Sequence, residues 1–296
     1  MSDFRAFISN CTVAGLDFTK CGSTNLRDTI DFEISGRIFS LKQHPEIAKG
    51  NFNELKGKFF ASSELTIKDV SENDLVGVES DVHALCWLLS FATLSNVTFY
   101  SYAYPANLNT GRRWTTSGTL EFFRPTIEIR DGETVKSFIE HTFHNYKALE
   151  NSRKLNVAIH YLLLIETSNL PTEAKLGLIF MLLENLKSTY AHTKNIPFRS
   201  GFFRKEPRPS KGKDTYSFEE LLKMMFDEVG ISKELDQVII VRNEIIHSGL
   251  TELSHDAAVK LHDEIHDLCR EYLLSLLGYR GEYLLYSSGS NTVARI

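Results

Sequence analysis

The chain has 296 residues, enough for two domains of ordinary size, and its 42% hydrophobic and 24% charged content excludes disorder and a membrane class. A net charge of −5 argues against a general nucleic-acid coat protein, although a local basic cleft answers to its own field rather than to the total. Cys11, Cys21, Cys86 and Cys269 are scattered with no C-x-x-C, and they predict reduced thiols and a cytoplasmic location. The opening MSDFRAFISN shows no basic patch followed by an apolar core, so no signal peptide is expected. The nearest approach to a membrane span is the short run Tyr161-Leu162-Leu163-Leu164-Ile165, far below the required length.

Residues 1–130 read as a β-rich domain. Phe32 and Ile34 alternate with Asp31 and Glu33, a second strand follows through Arg37 to Leu41, and Glu64-Leu65-Thr66-Ile67-Lys68 alternates cleanly. Residues 97–102 are β-branched and aromatic, 107–111 form a turn, and 114–123 return as a strand, which predicts a hairpin. One helix interrupts the strands at 81–94, with Val82, Leu85, Leu88, Leu89 and Ala92 on one face.

From Asp131-Gly132 onward the periodicity becomes helical, and 131–280 read as an all-α bundle. Helices are expected over 133–149, 152–166, from Pro171 through Leu186, 218–229, 232–247 and 254–277. The first of these fits either side of the domain boundary. Residues 281–296 form a tail, with one strand at Tyr283-Leu284-Leu285-Tyr286 and then a polar end that frays. The fold class is therefore α+β, a β-rich N-terminal domain followed by a helical bundle.

The most informative run is Val241-Arg242-Asn243-Glu244-Ile245-Ile246-His247. Helical spacing places Leu235, Val238, Ile239, Arg242, Ile245 and Ile246 on one side, so an arginine sits on an apolar stripe. There it needs an anionic partner or a wet cleft, because a bare buried charge is very costly. Asn243 and His247 are four apart and share a face, while Arg242 and His247 are separated by roughly 140° of helix rotation. Gly249 reads as a C-cap, which puts His247 on the last turn, an imidazole suited to general acid or base work.

This arrangement resembles the HEPN superfamily (higher eukaryotes and prokaryotes nucleotide-binding), whose signature is R-x(4–6)-H with a polar residue after the arginine. Arg242, Asn243 and His247 match it, and VRNEIIHSG looks most like the ApeA-like branch. The resemblance covers about 148–280 and implies metal-independent RNA cleavage with no cofactor. In that role His247 is the acid or base, Arg242 binds the scissile phosphate, and Asn243 orients one of them. The RNA 2′-hydroxyl attacks, leaving DNA inert. It further implies a homodimer in which the motif helices of two copies face each other, in a toxin or antiviral defence setting. Glu184, on an earlier helix, is a candidate auxiliary polar residue. A non-catalytic module of the same family, binding RNA, a nucleotide or a protein, is the alternative.

Other constellations are weaker. The loop 197–213 mixes Arg199, Arg204, Lys205, Arg208 and Lys211 with Phe198, Phe202 and Phe203, the composition of an RNA-contacting strip. Its phenylalanines read as anchors to the core. Arg112-Arg113-Trp114 reads as a hairpin shoulder. His262 and His266 are four apart beside Asp263 and Asp267 but match no zinc spacing, so they read as a polar helix face, and no metal is expected. His141 and His144 read as surface or interdomain residues. There is no G-x-x-x-x-G-K-[ST], G-x-G-x-x-G or G-x-S-x-G, which leaves ATPase, dinucleotide enzyme and serine hydrolase without support. Nothing identifies a ligand for the β-rich domain.

Overall fold

The computed structural model describes residues 1–48, 52–105, 109–112, 124–167, 169–208, 212–289 and 292–296, with backbone alone at 21, 52–53 and 109–112. It is an α+β protein. Seven antiparallel strands form one sheet in the order β2-β3-β4-β5-β1-β6-β7. They are β1 (Ser2–Ser9), β2 (Asp17–Cys21), β3 (Thr24–Ile34), β4 (Arg37–Gln43), β5 (Ala61–Val70), β6 (Thr98–Ala103) and β7 (Asn109–Arg112). A short helix α1 (Pro45–Ala48) follows β4.

Alternation builds the sheet. In β3, Leu26, Ile30, Phe32 and Ile34 point inward while Arg27, Asp31 and Glu33 face solvent. The first strand, not anticipated from sequence, pairs with both β5 and β6 and buries Phe4, Ala6 and Ile8. The expected 114–123 strand lies outside the described residues, as do Arg113 and Trp114. Among the described residues β6 pairs with β7 instead.

α2 (Leu75–Thr93) carries the expected apolar face, with Val82, Leu85, Leu88, Leu89 and Ala92 buried, and starts six residues before the predicted 81. The segment 72–93 is long and apolar enough to cross a membrane, contrary to the sequence reading. More than half of that window is buried among other residues of the chain, the condition of a core helix. α3 (Gly132–Leu149) begins at Asp131, whose carboxylate accepts from the Glu133 and Thr134 amides. α3 packs on β3 and α2. A Cβ at Gly132 would lie 2.9 Å from the Gly15 carbonyl oxygen, so only glycine lets this helix start approach the sheet.

The bundle continues with α4 (Leu155–Ile165), α5 (Thr172–Thr193), α6 (Phe218–Asp227), α7 (Asp236–Ser248) and α8 (His255–Leu276). α5 is its hub and contacts α4, α6, α7 and α8. One apolar core runs without a break from the sheet into these helices. A two-residue ribbon, β8 (Phe198–Arg199) and β9 (Phe202–Phe203), links α5 to α6. The tail does not end in a single strand. β10 (Glu282–Leu285) pairs with β11 (Thr292–Arg295), and Asp267 of α8 receives the Tyr286 and Ser287 amides.

Candidate functional site

α7 starts at Asp236 rather than at 232, because Gly230 turns the chain with φ +77° and 231–235 are irregular. Its C-terminus is closed by Gly249, at φ +73°, whose N–H donates to the Ile245 carbonyl. The buried face runs through Val238, Val241 and Ile245. Ile246, placed on the stripe by helical spacing, is 49% exposed. The face is rotated so that Arg242 lies on its border, where a guanidinium stays partly wet while its stem packs.

Three neighbours hold that guanidinium. Nη2 donates to Glu184 Oε1 of α5 at 2.8 Å, and Nη1 donates to Asn243 Oδ1 at 3.0 Å. Its centre lies 5.0 Å from the Phe218 ring centroid, within cation–π range. Nε is buried without a hydrogen-bond partner. Glu184 is itself shared, since Lys187 Nζ meets Oε2 at 2.8 Å, and Lys187 also lies 5.3 Å from the Phe218 ring. Phe218 is fixed by a capping box at the start of α6. Ser217 Oγ accepts from the Glu220 amide at 3.1 Å, and Glu220 Oε2 accepts from the Ser217 amide at 2.7 Å.

These groups form one wall of a cleft of about 720 Å³. The other wall is the β8–β9 ribbon and its return, with Phe202, Phe203, Lys205 and Tyr216. Rings and cations alternate along it. Lys187 lies 5.9 Å from the Phe203 centroid, and Lys205 lies 5.3 Å from that of Tyr216. Asn243 and His247 are exposed on α7, and neither lines the cleft.

The other predicted contact residues are largely paired with acids. Arg204 makes two 3.1 Å hydrogen bonds to Asp214, and Lys205 Nζ meets Glu220 Oε1 at 2.5 Å. The Lys205 hydrogen bond, with the Ser217 amide, holds the Glu220 carboxyl below the usual range. Arg199 reaches Glu206 at 3.3 Å and Arg208 reaches Asp214 at 3.9 Å, both from mostly exposed positions. Lys211 lies outside the described residues. Of the phenylalanines expected to anchor this loop only Phe203 is buried, while Phe198 and Phe202 are more than half exposed. Both half-exposed rings border the cleft, with Phe198 packed 4.8 Å from Phe203.

A second polar cluster was missed. His262 and His266, expected on a solvated face, are 4% and 1% exposed. They lie beside Leu261 and Ile265 on the buried side of α8, a position the helical period already implied. Arg124 bridges Glu166, with Nε to Oε2 at 2.9 Å and Nη2 to Oε1 at 2.8 Å, and Asp263, with Nη1 to Oδ1 at 2.9 Å. His266 Nε2 lies 3.4 Å from Glu166 Oε1 without forming a hydrogen bond. Burial, reinforced by the charges of Arg270 and Arg124, holds the His266 imidazole well below its ordinary value. Among the described residues no three His, Cys, Asp or Glu side chains are arranged to hold a metal ion. His141 and His144 are exposed.

No protein-family model, curated protein or solved structure matches this chain. The functional reading rests on the residues themselves.

Proposed function

We propose that this chain binds RNA in the Arg242 cleft and, as a HEPN-type endoribonuclease, cuts it where two copies meet along α7. The observation that carries the reading is the setting of Arg242: a partly wet guanidinium at a cleft of nucleotide size, among alternating cations and rings, on the helix that displays Asn243 and His247. In the reaction the RNA 2′-hydroxyl loses its proton to a base and attacks phosphorus. The P–O5′ bond breaks, and the departing oxygen takes up a proton. Products are a 2′,3′-cyclic phosphate and a 5′-hydroxyl. His247 moves the proton, and Arg242 neutralises charge that grows on the phosphoryl oxygens.

A single copy turns Arg242 toward the cleft and His247 toward solvent. A second copy facing α7 supplies the missing half. Ile240, Asn243 and His247, at i, i+3 and i+7, are all exposed along one side of α7, as an isologous contact would use. Among the described residues the buried thiols of Cys11, Cys86 and Cys269 form no disulfide, which supports action in a reducing compartment such as the cytoplasm.

A second reading, a non-catalytic module that binds RNA or a nucleotide, is favoured by one contact. Glu184 already sits on Arg242 at 2.8 Å, so an internal carboxylate occupies the guanidinium that a phosphate would need. Incubating the protein with RNA and with DNA in excess EDTA separates the readings. The expected result is RNA-only cleavage that resists chelation and falls at least about 100-fold in His247→Ala. Cleavage that disappears with EDTA or survives in the mutant removes the mechanism, and tight binding without cleavage selects the second reading.

A further inference from the structure

We infer that the chain carries a second ligand site, separate from the Arg242 cleft, which takes a phosphate group. It is a cavity of about 260 Å³ between the start of α5 and α8, lined by Arg124, Glu166, Thr172, Lys175, His262 and Asp263. Four features converge there. α5 is 22 residues long and opens at Pro171 with no side-chain cap, so its first-turn amides and dipole present positive charge to the cavity. Lys175, on that first turn, makes no ion pair among the described residues. Thr172 adds a hydroxyl. His262, 4% exposed, has Nδ1 on Asp263 Oδ1 at 2.9 Å and a buried Nε2 with no hydrogen-bond partner.

The two carboxylates do not bar an anion, because both are turned onto Arg124, at 2.8 Å and 2.9 Å. That arrangement leaves Lys175, the helix start and the Nε2 edge of His262 uncommitted. A buried polar atom left without a partner costs about 1–3 kcal/mol, and a ligand that satisfies it recovers part of that cost. In the tautomer whose Nδ1–H donates to Asp263, Nε2 is an acceptor and takes a phosphate O–H. A phosphate still carries such a proton near neutral pH, whereas a carboxylate or a sulfate does not. The cavity is smaller than the usual range for drug-sized ligands, so it suits inorganic phosphate or a small phosphate monoester rather than a polynucleotide.

Titration calorimetry of the full-length chain with inorganic phosphate, and separately with a small phosphate monoester such as glycerol phosphate, tests this site and tells its two sources apart. The expected result is 1:1 binding that weakens about tenfold or more in Lys175→Gln, a change of about 1.4 kcal/mol or more, and that persists in Arg242→Gln. His262→Gln, checked for folding by its thermal transition, is expected to weaken binding while leaving RNA binding unchanged. Loss of phosphate binding in Arg242→Gln with none in Lys175→Gln would assign the anion to the α7 cleft and overturn the second site. Absence of binding at millimolar phosphate overturns it too. Neither outcome touches the RNA reading, which stands on Arg242 and His247.

Discussion

Two polar clusters in the bundle use the same side chains to different ends. Around Arg242 the partners are Glu184 and Asn243, each on a surface-facing position, and both Arg242 and Glu184 keep a quarter to a third of their side chains wet. Around Arg124, whose side chain is as wet as that of Arg242, the partners are Glu166, only 2% exposed, and Asp263, and two buried imidazoles stack beneath them. Charge that stays wet can exchange partners cheaply, so a phosphate can replace Glu184. A carboxylate as dry as Glu166 is committed to one arrangement, since losing its partner strands its charge away from water. Position relative to water, more than residue type, separates a carboxylate that can exchange partners from one held in a single arrangement.

Removing one acid from each cluster gives the largest contrast. Glu166→Ala should cost about 1–3 kcal/mol, because Arg124 loses its hydrogen bonds to a fully buried carboxylate and keeps only the one to Asp263. Glu184→Ala should cost only about 0–1 kcal/mol. Urea unfolding followed by circular dichroism measures both. Equal losses would erase the distinction drawn here.

The pH dependence sharpens it. Folded His266 is held neutral, chiefly by burial. The unfolded chain binds that proton as pH falls through about 6.5, and the folded chain does not. The stability tied to His266 is therefore complete above about 6.5 and lost below it, at about 1.4 kcal/mol per pH unit. Asp263 acts in a lower window. Burial would raise its carboxyl, but hydrogen bonds from His262 and Arg124 outweigh burial and hold it below the usual range. Its contribution is present above about pH 4 and disappears below. Thermal melts between pH 7.5 and pH 5 should fall for the native chain and flatten for His266→Gln. An unchanged slope in the variant would place the titration elsewhere.

Periodicity explains what was legible in advance. The α2 face, the α5 stripe and the inward side of α8 follow from spacing alone, because burying large apolar side chains is worth about 1.5–3 kcal/mol each. Arg242 could be singled out for the same reason, as a charge falling on such a stripe. Spacing does not fix the rotation of a helix about its axis to better than one residue, so Ile246 was placed inside when it is half exposed. The polarity of His262 and His266 points to solvent while their position beside Leu261 and Ile265 points inward, and position wins. Their burial depends on Arg124 and Glu166, both more than ninety positions away, and no local window contains that pairing. β1 was missed because MSDFRAFIS was read for targeting and not for its alternating Phe4, Ala6 and Ile8. Phe198 and Phe202 could not be placed without knowing that the ribbon turns back on itself.

The smallest expected effect lies in the basic ribbon and is invisible to stability measurements. Arg208 is held only by a 3.9 Å approach to Asp214, and Arg199 by a 3.3 Å approach to Glu206. Their side chains are 82% and 70% exposed, so solvent already screens these pairs. Neutralising either should shift stability by no more than about 0.5 kcal/mol. RNA is a different probe. Each cation that meets a phosphate releases counterions, and its loss lowers the slope of log affinity against log salt by about 0.7 on a single strand. Arg204 is more committed, with two hydrogen bonds to Asp214. The expected order of slope change is therefore Arg208→Gln and Arg199→Gln first, with Arg204→Gln smaller. The reverse order would mean that RNA enters by displacing Asp214 from Arg204, and the wet-versus-committed distinction would then fail on the ribbon that borders the cleft.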